Sequence, residues 1–358
     1  MIGQSPMAVG ATSPAGNAAP RTDGGRRATR SWLRQTALWM AFIDLILVLV
    51  FGILSTDHLF VGASSLQNIG FNASQIVLLA VAATFQLAAG QIDISLGAVL
   101  VLSSIIGGAT IQRLGGTSAE IQAGLYPNLT IALILGILAC VACGALFGLV
   151  NGLIVTRLHV HSFIATLGTT GIGTGIAFII TNGADLAYQP VWLQDNFGAK
   201  LISGVPAPAL LVAVLVALLW AVMRFTRFGL HTLAIGSSEA SAERAGLRVG
   251  RQTIMVFVLA GALCGLASVL DLSRFATTNV SGHTTDALAA VAGAVIGGTS
   301  LFGGRASVIG AVFGALLAVI LQTGLIAVGL TPFYQQVAVG MVLIAAVYAD
   351  RRRQRNAI

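Results

Sequence analysis

Arg224–Gln252 reads RFTRFGLHTLAIGSSEASAERAGLRVGRQ, the longest polar, basic interval between two apolar runs. The runs that flank it, 205–223 and 253–271, are each near the ~20 residues a helix needs to cross ~30 Å of hydrocarbon. Within the interval, Ser237-Ser238-Glu239 marks a helix start. A serine at the N-cap accepts a bond from an orphan backbone N–H, and Glu239 favours the positive end of the helix dipole. Gly246 can take a positive φ and so stop the helix. The interval therefore predicts a capped helix of about two turns on a cytoplasmic loop. Such a helix either presents itself to a partner or merely orders a long connection.

Moving outward, the same alternation of long apolar runs and short polar breaks fills the chain. Of 358 residues only 9% are charged, against about 25% in a soluble domain, and the mean hydropathy is +0.91. The runs are 36–54, 73–90, 95–112, 129–150, 162–181, 205–223, 253–271, 287–302, 306–328 and 333–349. They predict an all-α, polytopic membrane protein with about ten transmembrane helices. With both termini cytoplasmic, sixteen of the nineteen basic residues fall inside; only Arg113, Lys200 and Arg274 fall outside, as the positive-inside rule requires. Were 287–302 a re-entrant hairpin, the last four arginines would move outside. The net charge of +7 sits at the ends of apolar runs instead of forming a stripe, so no nucleic-acid partner is expected.

Residues 1–35 are rich in small residues and arginine and read as a disordered cytoplasmic tail. Residues 36–350 form the transmembrane domain, with the loop 224–252, and 351–358 are a basic tail. Cys140, Cys143 and Cys264 lie within apolar runs with no acidic or histidine partner nearby, and read as packing residues. Among the 43 glycines, Gly293, Gly297, Gly298, Gly310 and Gly314 suit close helix approach in lipid.

No G-x-x-x-x-G-K-[ST] occurs, and the only lysine is Lys200. A phosphate-cradling loop is thus missing, and a pump of this composition would need its ATPase in trans. The predicted loop helix is a docking site for such a partner: Ser238 caps it, Glu239 and Glu243 share a face, Ala240 allows close contact, Arg244 adds a charge and Gly246 ends it.

Polar groups inside the apolar runs are the candidates for a path. Asp93 lies in GQIDISLG (90–97); either it lines a path, or Asp93 or Ser95 caps the following helix. Asn72, Gln75, Thr84, Gln86, Thr166, Thr169, Thr170, Gln322, Gln335 and Gln336 could line a route for a hydroxyl-rich solute, with Phe85 or Phe163 as an apolar face. Each could equally join neighbouring helices by hydrogen bonds. Asp44 in the first run faces the bundle or the headgroups. The pairs 73–112 and 287–328 both read as small-apolar helix, glycine-flanked break, small-apolar helix, which suggests a parallel repeat with interrupted helices beside the path.

The chain closely resembles the permease subunits of ribose/xylose/galactose-type ABC sugar importers from about Leu66 onward. The resemblance rests on AAGQIDISLGAV (88–99), NGLIVTRLHVHSFIATLGT (151–169), RFGLHTLAIGSSEASAERAGLRVGR (227–251) and AVIGGTSLFGGRASVIGA (294–311). It implies a bacterial inner-membrane permease that pairs with a second permease subunit, a cytoplasmic ABC ATPase and an extracytoplasmic sugar-binding protein, and moves a monosaccharide through the bilayer. It places Glu239, Ala240 and Gly246 in the loop motif that contacts the ATPase, and Asp93, Ser95 and Gly97 in a motif without an assigned role. ATP and Mg would be held by the ATPase, so this chain needs no cofactor and is no enzyme. Gln91 stands where a second glycine is usual, and His159 and His161 where prolines are, which leaves the identity of the sugar open. The rival reading is an ion-coupled secondary transporter of a small polar solute, built on Asp44, Asp93, Asp271 and Asp286. A membrane enzyme would need a nucleophile–base pair or metal cluster that the sequence does not offer.

Overall fold

The computed structural model describes residues 24–55 and 60–330, together with Tyr334, Val337, Gly340, Met341, Ile344 and Tyr348, which are helical. The helices are α1 (Gly24–Leu54), α2 (Ala63–Ala88), α3 (Leu96–Gly115), α4 (Ser118–Gln122), α5 (Leu129–Arg157), α6 (Ser162–Thr181), α7 (Val191–Leu193), α8 (Ala207–Phe225), α9 (Arg227–Ser237), α10 (Glu239–Arg244), α11 (Val249–Phe275), α12 (Asp286–Ile296) and α13 (Val308–Ala327). A π-turn at Gln194–Gly198 extends α7, and Leu201–Ile202 pairs with Val205–Pro206 in a small hairpin. Among the described residues, eight helices are long and apolar enough to cross a membrane: α1, α2, α3, α5, α6, α8, α11 and α13.

Two expectations change. The run 287–302 is helical only as α12, whose 11 residues cover about 16 Å, half the apolar layer. Beyond it Gly298, Gly303 and Gly304 take positive φ and turn the chain. The tail predicted as disordered to residue 35 is helical from Gly24, because arginine and alanine are good helix formers once an apolar span extends them. The run 333–349, with Gln335 and Gln336, lies outside the described residues apart from the six named above. The tail residues 1–23 and 351–358 lie outside them too.

α2 is the centre of the bundle. Of its most apolar 18-residue window 83% is buried, against 22% in α1 and α8. Its sequence from Ile76 to Ala88 is apolar on nearly all sides, as a helix surrounded by helices must be. It packs on α11, α13, α12 and α8. α5 lies against α11 almost backbone to backbone: a Cβ on Gly144 would overlap the Gly261 carbonyl, and the reverse holds. The same is true of Gly297 and Gly310 between α12 and α13, as the predicted small-residue packing requires.

The connections sort to two ends. At one, the Val280 N–H donates to Asp185 (2.7 Å) and the Leu186 N–H to the Thr278 hydroxyl (2.8 Å). There Gln112 Nε2 reaches the Ala187 carbonyl at 2.5 Å, and the Tyr126 hydroxyl donates to the Tyr188 carbonyl. α4 sits at this end under a capping box, in which hydrogen bonds from Thr117 hold the Glu120 carboxyl below its usual range. At the other end meet 89–95, the start of α6, the loop 226–248 and the turn 297–307. This is the end that the arginine count assigns to the cytoplasm, and it is called the inner end below.

Candidate functional site

At the inner end, α10 is the predicted loop helix. Ser238 is its N-cap and its hydroxyl accepts the Ser241 N–H at 3.3 Å. The chain leaves it through Gly246 at φ +85°. Glu239, Ala240, Glu243, Arg244 and Gly246 are exposed, and only Ala242 of the helix is buried. The helix is thus anchored by one small residue and presents two carboxylates and a guanidinium outward. Its base is fixed: Gln252 Nε2 bridges the Phe228 carbonyl (3.0 Å) and the Thr232 hydroxyl (2.9 Å), tying the start of α11 to α9.

Just ahead of α10, three inner connections touch by their backbones. A Cβ on Gly236 would overlap the Ala88 carbonyl, one on Gly303 the Gly236 carbonyl, and one on Gly304 the Ser237 hydroxyl. The Gly304 N–H donates to the Ala88 carbonyl at 3.1 Å. The loop carrying α10 therefore abuts the end of α2 and the α12–α13 turn with no side chain between them.

The predicted path residues divide into two groups. Gln86, Asp93 and Ser95 form one buried network, which Asn151 of α5 completes. Asp93 accepts from Gln86 Nε2 (2.6 Å), from the Ser95 N–H (2.7 Å) and from the Ser95 hydroxyl (2.6 Å), while Asn151 Nδ2 donates to Ser95 Oγ (2.9 Å). Asp93 is 5% exposed and Gln86 1%. Asp93 thus takes a backbone N–H ahead of α3, as a cap does, whereas the Ser95 hydroxyl is turned to Asp93 and Asn151 and caps nothing. Ser162 and Thr166 of α6 accept from the Ile92 and Ile94 N–H groups at 3.1 and 3.3 Å, clamping the 90–95 turn. Thr169 donates to the Thr166 carbonyl on its own helix, and Phe163 is exposed.

Asn72 and Gln75 lie elsewhere. Gln75 is 11 residues before Gln86 on α2, about 16 Å away. Asn72 accepts from Arg274 at 2.5 Å. Gln75 Nε2 reaches His283 Nδ1 at 2.9 Å and Asp286 Oδ2 at 3.3 Å. His283 sits between two carboxylates, with Nδ1 2.7 Å from Asp286 Oδ2 and Nε2 3.3 Å from Asp271 Oδ1. Asp271 and Asp286 are read above only as rival ion-coupling groups, and His283 is not singled out. The signal was present in ATTNVSGHTTD (276–286), a polar segment whose histidine and aspartate stand three apart. Asp44 of α1 is 6% exposed, and neither of its oxygens finds a hydrogen-bond partner among the described residues.

This arrangement offers a docking helix, a buried polar turn and a charged cluster, and among the described residues no group of three His, Cys, Asp or Glu side chains is arranged to hold a metal ion. The family described as branched-chain amino acid transport system / permease component matches residues 65–347. The chain is 31% identical to the ribose import permease protein RbsC of Escherichia coli, over 93% of this chain and 99% of that one. It is 32% identical to the D-allose transport system permease protein AlsC of the same organism, covering 87% and 90%. With the galactose/methyl galactoside import permease protein MglC, also of Escherichia coli, identity is 28% over 89% and 95%. No solved structure matches the chain. Matched over most of its length and carrying, among the described residues, eight apolar helices of spanning length, the chain is a multi-pass inner-membrane protein and belongs to the permease-component family of transport systems.

Proposed function

We propose that the chain is the membrane subunit of an ATP-driven importer of a monosaccharide, energised by a separate cytoplasmic ABC ATPase. The observation that carries the reading is α10: a capped, exposed helix whose base abuts both interrupted parts of the bundle. A partner that grips Glu239, Ala240, Glu243 and Arg244 moves the Gly236–Ser237 backbone. That backbone bears on Ala88 and Gly303–Gly304, at the inner ends of α2 and of the α12–α13 turn. The relatives, a ribose import permease, a D-allose transport system permease and a galactose/methyl galactoside import permease, support a sugar as cargo. A second permease subunit and an extracytoplasmic sugar-binding protein complete the assembly, and ATP and Mg belong to the partner. The permease does no covalent chemistry; differential contacts in its outward and inward states shift the equilibrium between them.

The test is capture of an ATPase from membranes by wild type and by the double variant Glu239→Arg, Gly246→Leu. Wild type is expected to bring down an ATPase and the variant to lose it while staying monodisperse in detergent. A wild type that moves sugar and captures no ATPase overturns the reading.

A further inference from the structure

Gln75 lies 13 residues before Ala88, the inner end of α2, or about 20 Å into the bundle. Around it are gathered Asp271 from α11, His283 from the α11–α12 connection and Asp286 from the first turn of α12. At that depth charge is expensive unless it faces protein or water. Asp271 is 1% exposed, yet neither of its oxygens accepts a hydrogen bond from the described residues. His283 Nε2 lies 3.3 Å from Oδ1 as an ion-pair contact, and Oδ2 has no partner among the described residues. His283 and Asp286 keep 11% and 19% exposure. Charges at this depth face protein or water in place of lipid.

Two helices also begin at this place. A Cβ on Gly97, in the first turn of α3, would overlap the His283 carbonyl and lie 3.9 Å from the Ala287 nitrogen of α12. The N-termini of α3 and α12 therefore meet, each with unpaired N–H groups and a positive dipole end. Helices interrupted inside a membrane commonly turn such ends toward the transported solute.

We propose that Gln75, Asp271, His283 and Asp286 form the point where the path holds its solute, and that the solute is a neutral polyhydroxy compound. Two carboxylates disfavour an anion, while the imidazole flanked by helix N-termini disfavours a simple cation. A sugar hydroxyl satisfies both halves of the cluster. It donates to Asp271 Oδ2, which has no partner among the described residues, and accepts from the Gln75 amide or a helix N–H. This assignment deepens the importer reading and rests on it for the identity of the cargo.

The test needs no ATPase. Thr284, exposed beside the cluster, is changed to cysteine, and its alkylation by a polar thiol reagent is timed with the full chain in proteoliposomes. D-ribose, D-allose and D-galactose are added singly, with sodium chloride and sodium glutamate as controls. At least one sugar is expected to slow labelling, and neither salt. Asp271→Asn and, separately, Gln75→Leu should raise the half-protecting sugar concentration about tenfold, the loss expected for a hydrogen bond to a buried polar site. Unaltered protection in both variants, protection by salt in place of sugar, or no protection by any sugar overturns the assignment. Failure of ATPase capture alongside intact sugar protection would overturn the importer reading and leave this site standing.

Discussion

At the residue scale, two buried polar groups differ in kind. Both Asp93 oxygens are partnered: Gln86, the Ser95 N–H and the Ser95 hydroxyl all donate to them. Asp93→Ala leaves those donors unpaired and should destabilise the protein by about 1–3 kcal/mol. Thermal unfolding in detergent measures it, and an unchanged midpoint would show that the donors find other partners. His283 is held instead between two carboxylates: Nδ1 hydrogen-bonds Asp286 Oδ2 at 2.7 Å, while Nε2 makes only an ion-pair contact with Asp271 Oδ1 at 3.3 Å. The sequence made Asp93 conspicuous as a lone carboxylate in an apolar setting. It did not reveal His283, because that cluster is assembled from α2, α11 and α12, residues 75, 271, 283 and 286, which only the fold brings together.

At the element scale, the capped loop helix was legible residue by residue. Ser238 is the cap and Gly246 the positive-φ exit, because cap chemistry is local and survives any tertiary context. Ser238→Ala should weaken α10 by about 1 kcal/mol and reduce capture of the partner, with little change in the melting of the membrane bundle. A large loss of bundle stability would show that α10 carries fold as well as docking. The length of α12 was not legible in the same way. GlyGly turns and apolar residues read alike in hydropathy whether a run crosses or stops, and only the meeting of Gly297 with Gly310 shows where it stops. The α5–α11 contact is a further test of element packing. Gly144→Leu should push the helices apart, costing about 1–3 kcal/mol, visible as a lower melting temperature.

At the scale of the whole molecule, the order of apolar runs and the arginine bias assign the connections to two groups. The segments 91–94, 224–252 and 303–305 do gather at one end, around Ala88, Gly236 and Gly304. Topology is legible because charge placement is a property of each loop alone. The order of helices around α2 is not, since Gly/Ala-rich spans resemble one another in composition and packing choice depends on shape. The account joins the two ends of the molecule. On the proposed reading, a partner that pulls on α10 would move the Gly236–Gly303 junction and through it α2, α12 and α13, and so change the grip of the cluster around His283 on a sugar about 20 Å farther out. The direct measurement is uptake of labelled D-ribose, D-allose and D-galactose into proteoliposomes that hold the permease with its ATPase and binding protein. ATP is supplied on the ATPase side, and ionophores collapse the proton and sodium gradients. Uptake of at least one sugar that persists without gradients and stops without ATP is the predicted result. Uptake that vanishes with the gradients and ignores ATP would contradict the account.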